Sequence, residues 1–257
     1  MSRLPPVLYE DPWLIAFDKP SGLLSAPDRW DADRENLVRW VHERGSPDWF
    51  NVHRLERETS GVILFAKTRK ALEITAGRFQ SQDVTRQYVA ITRGGPREDS
   101  GSISLALASD RNRAGRMVAS PGGKPAETRF LVVTRWHRHT QLSVQPLTGR
   151  QHQIRVHLAA AGFPVLADSL YGSPQGLLLS ELKRRYKRKK DDEERPLIGR
   201  LALHAASLTV RHPETDEWLT VTSPLPHDFQ VAIKYLSRFA GVDPRRQPRP
   251  ANLKSAE

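Results

Sequence analysis

The sequence contains no cysteine, which excludes disulfide bonds and thiolate metal sites, so any bound metal would need histidine and carboxylate ligands. It also lacks an apolar run approaching the roughly 20 residues that a membrane-spanning helix needs. Residues 1–6 lead into a mixed polar segment and not into the apolar core of a signal peptide. We therefore expect a cytoplasmic protein that is neither secreted nor inserted into a membrane.

Acidic residues are scarce relative to basic ones. The 29 Asp and Glu residues stand against 40 Lys and Arg residues, which gives a formal net charge of +11 and a pI near 10.2. Such an excess raises the local concentration of polyanions and suits contacts with phosphate groups. The charge is equally compatible with a basic protein that binds no nucleic acid, and it does not distinguish RNA from DNA.

The apolar pattern predicts more strands than helices, joined mostly by short turns. The predicted strands cover residues 7–9, 14–17, 62–66, 88–91, 130–133, 142–144, 201–210 and 218–221, and the predicted helices cover 37–43, 69–80, 150–161 and 228–239. Residues 95–126, rich in Gly, Ser, Arg and Pro, are expected to form a loop or an irregular hairpin. We predict one α+β domain over residues 1–240 with a mixed, largely antiparallel sheet, and a disordered basic tail over residues 241–257.

Two segments carry the residue types of a chemical site. The first runs from His53 to Gly61 and places Glu56 among basic residues on a loop just before a buried strand. The second runs from Thr148 to Leu158; on a helix, Gln151 and Arg155 would share a face, as would His152 and Val156. An arginine beside a carboxylate favours its charged form and fixes its orientation. A polar turn and a solvated helix face remain the alternatives.

Together these segments resemble the RluA-type family of pseudouridine synthases. Its loop reads His-Arg-Leu-Asp followed by Thr-Ser-Gly, and its second signature reads Gly-Arg-x-His-Gln-Ile-Arg. The resemblance covers roughly residues 7–225 and includes further motifs in order: Tyr9-Glu10-Asp11, Lys19-Pro20-Ser21-Gly22-Leu23, Arg86-Gln87-Tyr88, Gly162-Phe163-Pro164, Asp168-Ser169-Leu170-Tyr171-Gly172 and Leu203-His204-Ala205. It implies the pseudouridine synthase fold with flanking helices and a central basic cleft. Because the match begins within ten residues of Met1, the small N-terminal S4 domain of many relatives is expected to be absent.

The resemblance implies a cofactor-free isomerisation of uridine in tRNA or rRNA. The family's catalytic aspartate falls at Glu56, and its base-packing tyrosine at Tyr88. Arg155 matches the residue that pairs with the carboxylate, and Arg54 matches the side chain that takes the space of the flipped nucleotide. Ile154, from the same signature as Arg155, is assigned to substrate binding on this resemblance.

Glu56 departs from the family pattern by one methylene, which moves the carboxylate by roughly 1 Å if the backbone stays in place. Three interpretations follow: an active enzyme with an adjusted pocket, an RNA-binding pseudoenzyme of the same fold, or an engineered substitution. Glu58 and Asp28 are weaker candidates for the catalyst. The intact Tyr88 and Arg155 positions favour activity.

Two rival functions come from other classes. A metal hydrolase would need ligands on one face, whereas His152 and His157 are five residues apart and share a face on neither a helix nor a strand, so no metal is expected. A non-catalytic RNA-binding module would use the basic run at residues 183–190, in which Lys183, Arg184, Arg185 and Lys187 are the RNA-binding candidates. The alternative interpretation of this run is a solvated insertion whose positive charge is balanced by the acidic residues after it. His204 is predicted to be a packed structural histidine.

Overall fold

The computed structural model describes residues 4–28, 31, 34–183, 186 and 193–241. These residues form two compact units, each built from three stretches of chain. Unit 1 comprises 1–89, 145–152 and 203–226, and unit 2 comprises 90–144, 153–202 and 227–257. The single domain over residues 1–240 stays a prediction, and residues 242–257 of the predicted tail lie outside the described residues.

The elements alternate between strands and helices along the chain, with strands in the majority. In chain order they are β1 (Val7–Glu10), β2 (Leu14–Lys19), α1 (Leu37–Arg44), β3 (Phe50–Asn51), β4 (Ser60–Ala66), α2 (Arg69–Gln80), β5 (Val84–Arg93), β6 (Ser100–Ser104), β7 (Leu107–Ser109), β8 (Met117–Ala119), β9 (Glu127–Arg135), β10 (His139–Pro146), α3 (Gln153–Ala160), α4 (Leu179–Leu182), β11 (Leu203–Arg211), β12 (Trp218–Thr222) and α5 (His227–Phe239).

The sheet of unit 1 is centred on β4, whose seven residues are all buried. β4 pairs antiparallel with β2 and β3 and parallel with β11, while β1 pairs antiparallel with β2 and β12 with β11. Alternate side chains of β4 enter two separate cores, one containing Ala71 of α2 and the other containing Leu37 and Val41 of α1. The continuous apolar run therefore reflects a strand covered by a helix on each face.

Gly61 allows β4 to approach β11 closely. Its φ is +115°, and a Cβ at this position would lie 2.1 Å from the carbonyl oxygen of Ala205. Only a residue without a side chain fits between these two backbones. The close approach occurs five positions after Glu56, so it fixes the end of the loop that carries this carboxylate.

Unit 2 contains the antiparallel pair β6 and β9 and the short hairpin of β7 and β8. Residues 95–126, expected to form a loop or an irregular hairpin, thus contain three strands. The buried guanidinium of Arg135 donates hydrogen bonds to the carbonyl oxygens of Pro96, Arg97 and Glu98 and so fixes the start of this segment. Helix α5 buries Phe229, Ala232 and Leu236.

The four predicted helices agree with the structure to within one residue at each end except at the start of α3, and the short helix α4 was not predicted. Helix α2 covers the predicted residues 69–80, but α3 begins at Gln153 and not at residue 150. His152 has a φ of +53°, which is incompatible with a right-handed helix. The prediction that Gln151 and His152 share helical faces with residues 155 and 156 is therefore wrong.

The end of α3 agrees with the prediction. Gly162 has a φ of +88° and its N–H donates to the carbonyl oxygen of Ala159, which closes the helix. In α5 the predicted inward residue Ile233 is only half-buried, and Ala232 takes the buried position instead. Within the described part of the chain, no helix is long and apolar enough to cross a membrane.

Candidate active site

Glu56 lies at the start of a tight turn that leads into β4. The N–H of Thr59 donates a hydrogen bond to the carbonyl oxygen of Glu56 at 3.1 Å, and Ser60 then begins the strand. On the other side of Glu56, Leu55 is buried in the core against α1. The turn thus holds a partly exposed carboxylate between a buried leucine and a buried strand.

The backbone of this loop is tied to the segment that follows β2. The hydroxyl of Ser25 donates to the carbonyl oxygen of Leu55 at 2.7 Å and accepts the Leu55 N–H at 3.0 Å. The N–H of Gly22 donates to the carbonyl oxygen of Arg57 at 2.8 Å. Since both neighbours of Glu56 are fixed by hydrogen bonds, the position of its carboxylate depends on its own side-chain rotation.

Lys19 strengthens this connection from the interior. Its side chain is fully buried, and its ammonium group donates to the carbonyl oxygens of Leu23 at 2.6 Å, Pro20 at 2.8 Å and Arg57 at 3.1 Å. A buried ammonium is tolerable only when its donors are satisfied, and three carbonyl dipoles meet that need here. Lys19 therefore links the turn after β2 to the Glu56 loop.

Two histidines fix the ends of the loop and act as structural groups. Burial, together with the positive charge of Arg86, lowers the pKa of His53 to about 3, so the ring is neutral and accepts the N–H of Leu64 at Nε2. His204, fully buried in β11, lies 3.0 Å from the hydroxyl of Ser60 through Nδ1. The structural role predicted for His204 is confirmed.

The predicted catalytic and base-packing residues, Glu56 and Tyr88, both belong to unit 1 and interact electrostatically. Burial raises the pKa of the Tyr88 hydroxyl to about 12; the positive charge of Arg86 opposes this shift and the negative charge of Glu56 adds to it. The Tyr88 ring packs against the same core cluster as Leu55. Glu56 keeps 27% of its side-chain surface exposed, which leaves the carboxylate accessible to a substrate.

The segment 145–152 brings a third group to this carboxylate. Nε2 of His152 lies 3.9 Å from Oε2 of Glu56, with 13% of the histidine side chain exposed. Arg86 supports the segment from β5, because its Nη2 donates to the carbonyl oxygens of Pro146 at 3.3 Å and Thr148 at 3.2 Å. Burial lowers the pKa of the Arg86 guanidinium from its usual value.

Arg155 and Ile154 lie in α3 of unit 2 and are both buried. The Arg155 guanidinium forms a bidentate pair with the fully buried carboxylate of Asp168, at 2.8 Å from Nε and 2.7 Å from Nη2. It also lies over the ring of Tyr171, 5.0 Å from the centroid. The pairing of Arg155 with Glu56 and the substrate role of Ile154 stay predictions.

The remaining predicted site residues are on the surface or outside the described residues. The Arg54 side chain is exposed beside Leu55, and Lys183 is exposed at the end of α4. Arg184, Arg185 and Lys187 lie outside the described residues, so the RNA-binding role of this run stays a prediction. In the described ranges, no group of three or more His, Asp or Glu side chains could hold a metal ion.

Sequence reasoning missed the roles of three supporting residues, of which Lys19 and Arg86 lie within quoted motifs and Ser25 lies just after one. Lys19, Ser25 and Arg86 act mainly on backbone carbonyl oxygens, which no residue type in the sequence identifies. The spacing of Arg86 two positions before Tyr88 on one strand was the available signal, because alternate residues share a face. The arrangement of unit 1 can present one carboxylate and one aromatic ring to a planar ligand.

Comparison with known proteins gives a consistent result. A family model described as RNA pseudouridylate synthase matches residues 13–160. The dual-specificity RNA pseudouridine synthase RluA of Salmonella typhi is 36% identical over 225 residues, covering 87% of this chain and 93% of that protein. The protein of the same name from Escherichia coli (strain K12) is 36% identical over 220 residues, covering 85% and 92%.

Solved structures support the same fold. Human RNA Pseudouridylate Synthase Domain Containing 1 matches with a TM-score of 0.65 at 26% identity, covering 86% of this chain and 83% of that one. Human RNA Pseudouridylate Synthase Domain Containing 4 matches with a TM-score of 0.66 at 23% identity, covering 90% and 92%. The predicted α+β fold with a mixed, mostly antiparallel sheet is confirmed, while its central basic cleft stays a prediction.

Proposed function

The chain belongs to the RNA pseudouridylate synthase family, and from this premise we propose that it converts uridine to pseudouridine in tRNA or rRNA without a cofactor. The reaction breaks the bond between N1 of uracil and C1′ of ribose and forms a bond between C5 and C1′. The proton on C5 is lost and N1 gains one, so no electrons are exchanged with another molecule. An isomerisation of this kind requires positioned groups rather than a redox partner.

Glu56 is the proposed catalytic carboxylate. The observation that carries this assignment is its place on a hydrogen-bonded turn next to Tyr88, with 27% of its side-chain surface exposed. The carboxylate acts on C1′ or on the base as the glycosidic bond breaks. A fixed backbone on both sides of Glu56 lowers the entropy cost of presenting this group, which is how positioning contributes to catalysis.

The other residues bind the extruded nucleotide. Tyr88 packs against the uracil ring, and its phenol stays protonated because its pKa is about 12. Arg54, exposed at the loop, takes the vacated place in the RNA stack, and Arg155 is the predicted partner of the Glu56 carboxylate. A base must leave its stack before these groups can reach it, and unpaired RNA loops reduce that cost.

The second candidate is an RNA-binding pseudoenzyme of the same fold. It is favoured by one observation, the glutamate at the family's aspartate position. Because the neighbours of Glu56 are held by Ser25 and Gly22, the backbone does not retreat to compensate for the extra methylene. A carboxylate misplaced by about 1 Å would lose on the order of a hundredfold in rate.

Tritium release from RNA labelled at C5 of uridine separates the two candidates. The wild-type protein and three variants, Glu56→Ala, Glu56→Asp and Glu58→Ala, are assayed on bulk tRNA and on rRNA, with RNA binding measured in parallel. We expect Glu56→Ala to release no tritium but to bind RNA, and Glu56→Asp to match or exceed the wild type. Glu58 pairs with Arg57 on the same loop, so Glu58→Ala controls for a change of charge there.

Normal turnover by Glu56→Ala contradicts the assignment of the carboxylate. Tritium release by Glu56→Asp alone, with none by the wild type, favours the pseudoenzyme. Mapping of pseudouridine in cellular RNA from strains with and without the gene then identifies the modified RNA and the position. Addition of a chelator is expected to leave the rate unchanged.

A further inference from the structure

His152 adopts a backbone conformation that its residue type disfavours. Its φ of +53° lies in the left-handed region, which is unfavourable for most residues other than glycine. Such a conformation persists only where the surroundings enforce it, and it is concentrated at functional sites. The result of this turn is that the ring is directed to Glu56, with Nε2 3.9 Å from Oε2.

We propose that His152 is a positioning residue for the Glu56 carboxylate, an inference that rests on the proposed function of Glu56. At 3.9 Å the contact is longer than a direct hydrogen bond, so it acts through charge or through one bridging water. The ring is only 13% exposed, and this limits screening by solvent. Its effect is to select one side-chain rotation of Glu56.

The surroundings hold the left-handed turn in place through Arg86. The guanidinium of Arg86 binds the carbonyl oxygens of Pro146 and Thr148, and a Cβ at residue 149 would lie only 3.0 Å from its Nη1. Gly149 therefore gives the room that Arg86 needs beneath the segment. Helix α3 begins directly after His152.

Positioning matters more for a glutamate than for an aspartate. Glutamate has one more rotatable bond than aspartate, so holding its side chain in one orientation costs more conformational entropy. Because the loop backbone is fixed, that extra freedom belongs to the carboxylate alone. A contact that restricts it stabilises the productive orientation. In a Glu56→Asp variant the carboxylate withdraws and the contact with His152 is lost.

Three replacements of His152 separate this role from a structural one. Glycine accepts the left-handed turn but removes the ring, glutamine places an amide near the position of Nε2, and asparagine places it near Nδ1. The chain already holds a glutamine in this conformation at Gln82, whose φ is +63° in an exposed turn. Gln82→Gly is the matched control, since it makes the same backbone change away from the site.

We expect His152→Gly to lower kcat on the order of ten- to a hundredfold with KM within about twofold. His152→Gln recovers most of kcat, whereas His152→Asn does not, and Gln82→Gly behaves as the wild type. Thermal unfolding is measured for each variant to account for loss of folded protein. Equal losses for the Gln and Asn variants, or full activity of His152→Gly, overturn the proposal.

A double-mutant cycle with Glu56→Asp tests the partner. In the aspartate background His152→Gly should cost less than about threefold in kcat, because the contact is already lost. Equal costs in the two backgrounds show that His152 does not act through Glu56. If the wild type modifies no RNA, the proposed function fails, and NMR decides the proposal alone. The ring signals of His152 must then shift in Glu56→Gln and stay unchanged in Glu58→Gln.

Discussion

Replacement of Gly61 by alanine is the sharpest test of how the fold supports the Glu56 loop. The added Cβ would lie 2.1 Å from the oxygen, 2.7 Å from the carbon and 2.8 Å from the nitrogen of Ala205. All three atoms are backbone, so no side-chain rotation relieves the overlap. β4 and β11 must separate at the pairs Ser60 with His204 and Gly61 with Ala205.

The cost follows from two contributions. A φ of +115° is unfavourable for alanine by roughly 1–3 kcal/mol. Overpacking a buried contact costs about 1–3 kcal/mol more. The expected loss is therefore about 4 kcal/mol, a large share of the 5–15 kcal/mol typical of a folded domain. If the free energy of unfolding falls by about 2 kcal/mol for each molar of urea, the urea concentration at the unfolding midpoint falls by roughly 2 M.

Urea unfolding followed by tryptophan fluorescence measures this loss, since the chain contains six tryptophans. Gly77→Ala is the matched control: Gly77 lies within α2, and its added Cβ meets nothing within 4 Å. That change should stabilise the protein by roughly 0.5–1 kcal/mol, because alanine favours a helix. A midpoint for Gly61→Ala within about 0.5 M of the wild type would refute the reasoning.

Three further predictions concern buried charges and histidines. Burial lowers the pKa of His139 to about 4, and neighbouring arginines contribute to this shift. In the unfolded chain the histidine has its ordinary pKa and is protonated at a higher pH than in the folded protein. The free energy of unfolding therefore falls by about 3 kcal/mol from pH 6.5 to 4. His139→Phe flattens that part of the pH profile in thermal unfolding. Burial raises the pKa of Asp11, but hydrogen bonds from Tyr9 and from the backbone outweigh it and lower the pKa below its usual 3.8. The stabilisation that Asp11 gives to the fold is present above that pH and is lost as the pH falls further. Asp11→Asn therefore lowers the free energy of unfolding at neutral pH, and the difference between the variant and the wild type becomes smaller in acid. Asp168→Asn leaves the buried Arg155 without its carboxylate partner, so the free energy of unfolding measured in urea should fall by about 3–5 kcal/mol. An unchanged urea midpoint would contradict the importance of this pair.

Sequence patterns predicted the elements whose signals are local. The bounds of α2 are correct because Thr68 caps its first turn and the apolar spacing is regular. The prediction of β4 is correct because an apolar run after a glycine has few other interpretations. By contrast, β6 was missed because its exposed Ser-Gly-Ser sequence has no strand pattern, and its pairing with β9 depends on residues about 25 positions away.

The same distinction between local signals and contacts of distant residues applies to the candidate active site. The motifs singled out Glu56 and Tyr88 as candidates, and the structure places both in unit 1, where they interact electrostatically. The left-handed turn at His152 was missed because it depends on Arg86 and on space at Gly149, not on the residue itself. Lys19 lay within a quoted motif, but its three carbonyl partners come from a folded backbone.

The pairing of Ser60 with His204 joins positions 144 residues apart. During synthesis, the ribosome delivers residues 54–61 long before β11 leaves the exit tunnel, so β4 spends that time without its parallel neighbour. Pairings of such long range form late in folding. The nascent chain consequently has no assembled Glu56 loop, and a product that terminates before residue 203 lacks the strand that completes it.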